Sequence, residues 1–400
     1  MANGRGDATT RFPDGASLVR KLSRHRYSVF TAVGYRRAVR SRSRLATAVF
    51  AVALATCVAV PGAGAGEATK TRTLLTTTKP IHAFAQDKGR VAWVGGKWQV
   101  YVRSLGPKPT SFLAGSARPF GVLAPDVLPP QLALAGARVL WTRSGGGNDL
   151  ETDLYVQKAG NGDRPRLVSI AAGGGATGEG SYFGAVAAAG STLAYSVVEY
   201  QCVFDAQSDC AELALNPFVP GTFTVSGTSG SNRLPAVPTA IELAVSGNRI
   251  ALVPPVGEVA SIPDPASPPF AAPGMTVDVR DATTGALVSR FTPPGTVRAL
   301  ALSGSVAAVV DDAAIERYDP NTGALLGTTD VPGASELAES GHTLVYAVGN
   351  RIKAMDATTG TQQVLAVSPG PPIGLSVVGK RVAWAFNANR HGHVAALTLP

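Results

Sequence analysis

One pattern that returns three times in this chain sets the strongest limit on its fold. The segments VDVRDATTGALVSRF (277–291), IERYDPNTGALLGTT (315–329) and IKAMDATTGTQQVLA (352–366) each join two apolar stretches through Asp-x-x-Thr-Gly. An Asp at a turn start can accept hydrogen bonds from the backbone two residues on, and Gly supplies a positive φ. The pattern predicts β-hairpins, with Asp281, Asp319 and Asp356 in turn-forming roles rather than ligand-binding ones.

A second pattern, two apolar stretches around a small turn with Gly, occurs seven times. The turn glycines are Gly89, Gly136, Gly190, Gly247, Gly304, Gly341 and Gly379. Their spacing of 37 to 57 residues gives room for four strands per unit, and units of about 40–50 residues are typical of β-propeller blades. We therefore predict an all-β fold, a seven-bladed β-propeller of four-stranded blades.

The two ends of the repeat region fit a ring that closes on itself. The last copy ends at Pro400 after only three strands, and the segment TKTRTLLTTT (69–78) precedes the first copy as one spare strand. We expect this strand to complete the last blade as its outer strand. Such a closure removes an exposed sheet edge.

These repeats resemble those of bacterial seven-bladed propellers of the quinoprotein-like and WD-repeat-like superfamily. The resemblance lies in the three Asp-x-x-Thr-Gly units and implies the fold alone. Quinoprotein dehydrogenases of that kind hold a quinone and calcium through a vicinal cysteine pair and acidic ligands. This chain has no adjacent cysteines, and Phe291 stands near the place where those repeats often carry Trp. We expect no cofactor, with Ca²⁺ as the one alternative.

Residues 1–65 have the composition of an export leader. Residues 1–45 contain eleven of the 36 Lys and Arg but two of the 27 Asp and Glu, which accounts for the whole net charge of +9. The apolar run 45–60 and the small residues Ala63 and Ala65 follow, as in a signal peptide. Cleavage, lipidation at Cys57 and retention as an N-terminal anchor all stay open. We predict a secreted or cell-envelope protein with a single domain that spans 66–400. The net charge of residues 66–400 is zero, which excludes nucleic-acid binding.

Two cysteines remain after such a cleavage. Cys202 and Cys210 lie eight residues apart and can close a loop by a disulfide in an oxidising compartment. Two free thiols are the alternative.

Long insertions fall on one predicted face of blades 1–4, where rigid scaffolds concentrate binding sites. They are segments 114–130, 171–184 and 226–240 between blades, and 144–153, 197–211 and 253–275 within blades. We predict an exported, non-catalytic, monomeric module that binds a protein or carbohydrate at the envelope through this loop-rich face. Its candidate binding residues are Trp98, Asp149, Tyr182 and Asp205. Neutral drift in loop length is the alternative.

Two groups of residues are candidate metal ligands. Asp149, Glu151 and Asp153 offer the oxygen ligands that Ca²⁺ takes, although a solvated polar loop is the favoured interpretation. His391 and His393 share one face of a strand, and a third ligand is missing from the local sequence.

An enzyme, a hydrolase or lyase with its site in the central funnel, is the rival function. Propeller enzymes draw catalytic groups from the ends of the innermost strands. Those segments here are mostly Ala, Val, Leu and Ser, with Glu242, Glu336 and Glu339 as exceptions. This composition favours binding over catalysis.

Overall fold

The computed structural model describes residues 70–399, except 122–127, 147–148, 161–163, 175–179, 205–209, 216–220, 228–229, 256–257, 260–271 and 312. The chain divides into two compact units, 1–63 and 64–400. The predicted leader lies outside the described residues, so the description below concerns the second unit. Among the described residues, no helix is long and apolar enough to cross a bilayer.

The chain forms an all-β propeller. Five of its sheets have four antiparallel strands each. The first comprises β2 (Ala83–Asp87), β3 (Arg90–Val94), β4 (Gln99–Ser104) and β5 (Ser111–Ser116). The next comprises β15 (Glu242–Ser246), β16 (Arg249–Val253), β18 (Val277–Asp281) and β19 (Leu287–Phe291). Then come β20 (Ala299–Leu302), β21 (Ala307–Val310), β22 (Ala314–Tyr318) and β23 (Leu325–Asp330).

The last two four-stranded sheets lie at the C-terminal end, and one of them recruits the N-terminal strand. The first comprises β24 (Ala334–Ser340), β25 (Thr343–Val348), β26 (Arg351–Asp356) and β27 (Gln362–Val367). The second comprises β28 (Pro372–Val378), β29 (Arg381–Ala388), β30 (His391–Thr398) and β1 (Arg72–Thr77). Strand β1 pairs antiparallel with β30, with Arg72 opposite Ala396 and Thr77 opposite Gly392.

The sixth sheet has ten strands, so the structure shows five separate four-stranded blades where the sequence predicts seven. Its members are β6 (Leu132–Ala135), β7 (Arg138–Gly146), β8 (Asp149–Lys158), β9 (Arg166–Gly174), β10 (Gly180–Ala189), β11 (Thr192–Phe204), β12 (Cys210–Leu215), β13 (Gly221–Ser226), β14 (Gly230–Arg233) and β17 (Glu258–Val259). One residue pair, Gly173 with Gly180, joins β9 to β10. The backbones approach closely there: a Cβ on Gly180 would lie 2.5 Å from the Cα of Gly173.

Several predicted loops are strands. Segment 144–153 contains the ends of β7 and β8, which remain paired as far as Gly146 and Leu150. Segment 197–211 continues β11, which pairs with β12. The Gly- and Ser-rich composition of 144–153 indicates a loop locally, but pairing with the neighbouring strand supplies backbone hydrogen bonds and extends the sheet in both segments.

The Asp-x-x-Thr-Gly turns have the predicted structure. The Asp281 carboxylate accepts hydrogen bonds from the backbone N–H groups of Thr283 (2.9 Å) and Thr284 (2.7 Å). Gly285 has a φ of +75°, and its N–H donates to the Asp281 carbonyl at 2.9 Å. Asp319 and Asp356 accept corresponding backbone hydrogen bonds. These residues therefore form turns, as the sequence predicts.

The innermost strands carry a layer of small residues at one depth. Strands β2, β6, β10, β15, β20, β24 and β28 each contact the next in this order, and β28 contacts β2. At the third position before the first hairpin turn, every one of them carries a small side chain. These residues are Ala85, Ala133, Ala187, Ala244, Ala301, Ala338 and Ser376. Small side chains let neighbouring inner strands approach closely around the axis.

Tryptophans and arginines join neighbouring sheets. Trp141 is buried, and its indole N–H donates to the Ser116 carbonyl of the preceding sheet at 3.2 Å. Trp93 and Trp384 are also buried in the core. Arg381 Nη1 donates to the carbonyl of Lys88 at 3.0 Å, across to the first sheet. These contacts fix the sheets to one another through both apolar packing and main-chain acceptors.

Candidate functional site

We use the name upper face for the side that carries the connections from the second to the third strand of each sheet and from each sheet to the next. Trp98 lies there, in the short 3₁₀ segment Gly96–Trp98 between β3 and β4. Its ring stacks on the exposed His82, with centroids 4.2 Å apart and planes 9° apart. Desolvation beside the Trp98 ring lowers the pKa of His82, which favours the neutral imidazole.

The backbone at Trp98 is unusual for an aromatic residue. Lys97 and Trp98 have φ values of +63° and +60°. Such a conformation costs non-glycine residues of order 1 kcal/mol each. The N–H of Trp98 donates to the Gly95 carbonyl at 2.9 Å, and its carbonyl accepts from Ala117 at 2.7 Å. These bonds hold the indole on the upper face, with part of its surface accessible.

Basic side chains surround this stack. The Gly392 N–H donates to the Lys79 carbonyl at 3.0 Å, which brings Lys79 beside the hairpin turn that contains the exposed Arg390. Lys79 also lies against Gly96. A Cβ added to Gly96 would lie 2.1 Å from the Cβ of Lys79. Lys97, the next residue, is exposed.

The basic region continues into the following sheet. Arg143 Nε donates to the Arg118 carbonyl at 3.0 Å. The Arg143 guanidinium lies over the Phe120 ring, with its carbon 4.5 Å from the centroid, in a cation–π contact. Arg118 is exposed, whereas Arg143 is half-buried. We call Lys79, Lys97, Arg118, Arg143 and Arg390, with the His82–Trp98 stack, the basic patch.

Little negative charge opposes the basic patch. The described acidic residues next to it are Glu151 and Asp153, which lie on β8 opposite the end of β7. Asp153 is buried and accepts a hydrogen bond from the Tyr155 hydroxyl at 3.0 Å. Burial, together with this bond, raises the pKa of Tyr155. The patch is therefore electropositive, and it can attract carboxylates while the indole packs against an apolar or planar group.

The other predicted binding residues lie elsewhere. Tyr182 is buried in a core cluster with Val198 and Ile241, because its strand is packed on both faces, so it does not contribute to a surface. Burial, with Tyr200 nearby, raises the pKa of its hydroxyl far above the ordinary range. Asp205 and the side chain of Asp149 lie outside the described residues.

The predicted metal ligands are not brought together in the part of the chain that the structure describes. No three His, Cys, Asp or Glu side chains are grouped there. His393 stacks on Phe386 at 5.0 Å and contacts the Thr76 hydroxyl at 3.3 Å, whereas His391 contacts the Asn389 carbonyl at 2.8 Å. Glu151 is half-buried, and the Ca²⁺ alternative gains no further ligand from these residues.

The predicted disulfide stays a prediction. Cys202 pairs with Leu213 and Cys210 with Phe204 in the β11–β12 ladder. The side chains of both cysteines lie outside what the structure describes.

The innermost strands carry half-buried glutamates at more than one depth. Glu242 begins β15 and Glu336 lies near the start of β24, both toward the upper face, whereas Glu339 lies at the other end of β24. Burial raises the pKa of Glu242 to about 8 and that of Glu336 above its ordinary value, although a Leu375 backbone hydrogen bond opposes the rise. These carboxyl groups belong to no cluster of three within the described residues.

Comparison with known proteins assigns no family to this chain. No protein-family model and no curated protein matches this sequence. Solved structures with a similar fold include the computationally designed Ika8 protein (TM-score 0.45, 17% identity, 82% of this chain and 98% of that chain). The WD40 β-propeller domain of Doa1 has a TM-score of 0.43 at 11% identity (82% and 97%). BamB from Moraxella catarrhalis has a TM-score of 0.39 at 11% identity (79% and 82%). The structural neighbours of this chain are WD40 and BamB-like β-propellers.

Proposed function

We propose that this chain is an exported, non-catalytic binding module that recognises an acidic segment of a partner protein through the basic patch. One observation carries the proposal: basic side chains from four separate connections surround one accessible Trp on the upper face. Aromatic residues and Arg are enriched at protein interfaces and dominate their binding energy. The enzyme alternative has less support, since the carboxyl groups of the inner strands belong to no group of three with His, Cys, Asp or Glu among the described residues.

We also propose that the fold is a seven-bladed ring closed by its N-terminal strand. The ten-stranded sheet contains two four-stranded units, β6–β9 and β10, β11, β13 and β14, which a single residue pair connects. The seven inner strands contact one another in cyclic order. The β1–β30 pairing supports closure, because it covers an edge that would otherwise be exposed.

The remaining parts of the proposal rest on sequence. Residues 1–65 act as a basic leader that directs export, with cleavage or anchoring as its two outcomes, and 66–400 form one monomeric domain. The site of action is then the cell envelope or the exterior. A carbohydrate ligand is the alternative to a protein partner.

The binding proposal is tested with a fluorescein-labelled deca-glutamate peptide and a chain that lacks residues 1–65, because the eleven Lys and Arg of residues 1–45 would themselves attract the peptide. We expect the anisotropy to report binding that weakens as salt rises from 50 to 300 mM, since salt screens exposed charges. The triple variant K79E/K97E/R118E should bind at least about tenfold more weakly, because it reverses three charges around Trp98.

The matched control, K108E/K158E/R164E, makes the same charge change at exposed positions on the opposite face of the same sheets. It should bind almost as well as the unchanged chain. Equal losses in the two triple variants would show that net charge, and not the patch, drives binding. Stronger binding of a single-stranded RNA decamer than of the peptide would favour a nucleic-acid ligand instead.

A further inference from the structure

His82 is the member of the basic patch whose charge can change near neutral pH, because imidazole is the side chain that titrates there. Its ring lies parallel to the indole of Trp98, with centroids 4.2 Å apart and planes 9° apart. The residue is nevertheless exposed. The imidazole is therefore stacked on one aromatic neighbour and is still accessible to a bound partner.

Main-chain bonds hold both rings in place. The N–H of His82 donates to the Val94 carbonyl at 2.8 Å, and the N–H of Trp98 donates to the Gly95 carbonyl at 2.9 Å. Lys97 and Trp98 keep positive φ values of +63° and +60° in this arrangement. Strained backbone of this kind is concentrated at functional sites. A change of charge on the imidazole therefore occurs at a fixed position in the patch.

The charged groups that surround the stack are cations. The described ones, each on a segment that contacts the stack or on the neighbouring hairpin turn, are Lys79, Lys97, Arg118 and Arg390. The same hairpin adds the exposed His391. Glu151 and Asp153 lie one sheet further on, where Asp153 is paired with Arg143 across the β7–β8 ladder.

The strands that pack against β2 add no carboxylate near the stack. These strands are β3, β6, β28 and β29. Among them and β2, the charged side chains are Asp87, Arg90 and Arg381. All three lie at the opposite end of β2 from His82, where Asp87 pairs with Arg90 and Arg381 donates to the Lys88 carbonyl. Within the described residues, the free patch thus offers the imidazolium no counter-charge from these elements.

We propose that His82 makes the basic patch proton-dependent: it takes up a proton when an acidic segment binds, so that binding tightens as the pH falls from 7.5 to 5.5. The inference rests on the proposed function of the patch. Carboxylates of the bound segment supply the counter-charge that the free patch lacks. The imidazolium also gains a cation–π contact with the indole of Trp98.

The direction of the effect follows from the two pKa values of His82. In the free chain, desolvation holds the pKa below its ordinary value of 6.5, whereas nearby carboxylates in the complex raise it. Between the two values binding takes up a proton, so the affinity rises as the pH falls and becomes constant below the lower value. Glutamate side chains, with a pKa of about 4.3, stay ionised over this range.

The test is an anisotropy titration at pH 7.5 and pH 5.5, at one ionic strength, with the chain that lacks residues 1–65. The deca-glutamate peptide carries rhodamine here, because fluorescein itself titrates in this range. We expect about three- to tenfold tighter binding at pH 5.5, which corresponds to a rise of about half a unit to one unit in the pKa of His82 on binding.

Two substitutions at His82 separate its charge from its stacking. H82Q should bring the ratio of the two affinities to about one, because the titrating group is gone. H82K carries a permanent charge beside the indole, so it should bind at pH 7.5 about as tightly as the unchanged chain binds at pH 5.5, again with a ratio of about one. A thermal unfolding scan shows whether each variant is folded.

H342Q is the matched control, since His342 is exposed in the β24–β25 turn on the face opposite the patch, and it should keep the ratio of the unchanged chain. Binding that does not change with pH would overturn this inference and leave the basic patch in place. A pH dependence that H82Q retains and H391Q loses would overturn it as well. Absence of peptide binding at both pH values would overturn the proposed function together with its regulation.

Discussion

At the scale of single residues, the buried carboxylate of Asp278 forms ion pairs that connect strands β18 and β19. Asp278 is fully buried between Arg280, whose Nη2 lies 2.8 Å from Oδ2, and Arg290, whose Nε lies 2.5 Å from Oδ1. Burial by itself raises the pKa of Asp278, but the hydrogen bonds from Arg290 and Arg280 outweigh it and lower the pKa. The folded state therefore favours the ionised carboxylate.

Asp278→Asn should lower the free energy of unfolding at pH 7 by about 3 kcal/mol, because it leaves two guanidinium groups without their counter-ion. Since the folded pKa is depressed, the contribution of Asp278 is complete above the unfolded value of about 3.9 and is lost as the pH falls through the folded pKa. Urea unfolding at pH 7 and pH 3 measures the difference, which should narrow at pH 3. Asp330→Asn, at an exposed strand end, is the control. A difference that stays constant with pH would contradict the role of the ion pair.

At the scale of elements, glycines in the hairpin turns meet two separate requirements, a positive φ and close packing against a neighbouring segment. Gly285 and Gly341 both have positive φ, +75° and +64°. A Cβ on Gly285 would lie 2.0 Å from the Pro235 carbonyl oxygen, whereas a Cβ on Gly341 meets nothing within 4 Å. Gly285 is therefore needed both for its positive φ and for the close approach of the turn to Pro235. Gly341 is needed for its positive φ alone.

Gly341→Ala should cost about 1 kcal/mol of unfolding free energy through backbone strain. Gly285→Ala should cost about 3 kcal/mol or more, because the turn must also move away from Pro235. Urea unfolding of both variants gives the two values. Equal losses would mean that the close approach adds nothing to the need for a positive φ.

Local chemistry explains which features the sequence could predict. The Asp281 turn follows from residue types within one hairpin, and that prediction is confirmed. The strands around Gly145 and Glu151 could not be predicted, since pairing with a neighbouring strand overrides a loop-like composition. The basic patch was missed, apart from Trp98, because Lys79 and Arg390 come together only through the pairing of β1 with β30.

At the scale of the whole molecule, the N-terminal strand connects the two ends of the described chain. Leu74 and Leu75 of β1 pack against a core cluster that contains Trp93 of the first sheet and Val394 of the last. Strand β1 thus contributes apolar contacts as well as pairing. Without it, β30 would present an unpaired edge.

A chain that lacks residues 1–78 should unfold at a temperature lower by about 10 °C or more than a chain that lacks residues 1–65. It should also associate, because the exposed edge of β30 can pair with another copy. Thermal unfolding and size-exclusion chromatography of the two chains measure both effects. If the shorter chain were as stable and as monomeric as the longer one, β1 would not close the ring.

The contact between Gly173 and Gly180 has a mechanical consequence. Sheets that meet through side chains can slide by small amounts, because van der Waals contacts change gradually with position. A main-chain pair between β9 and β10 cannot slide without breaking. This one pair should therefore restrain sliding between the two four-stranded units that it joins, and small breathing motions of the propeller should be larger at the contacts between the other sheets.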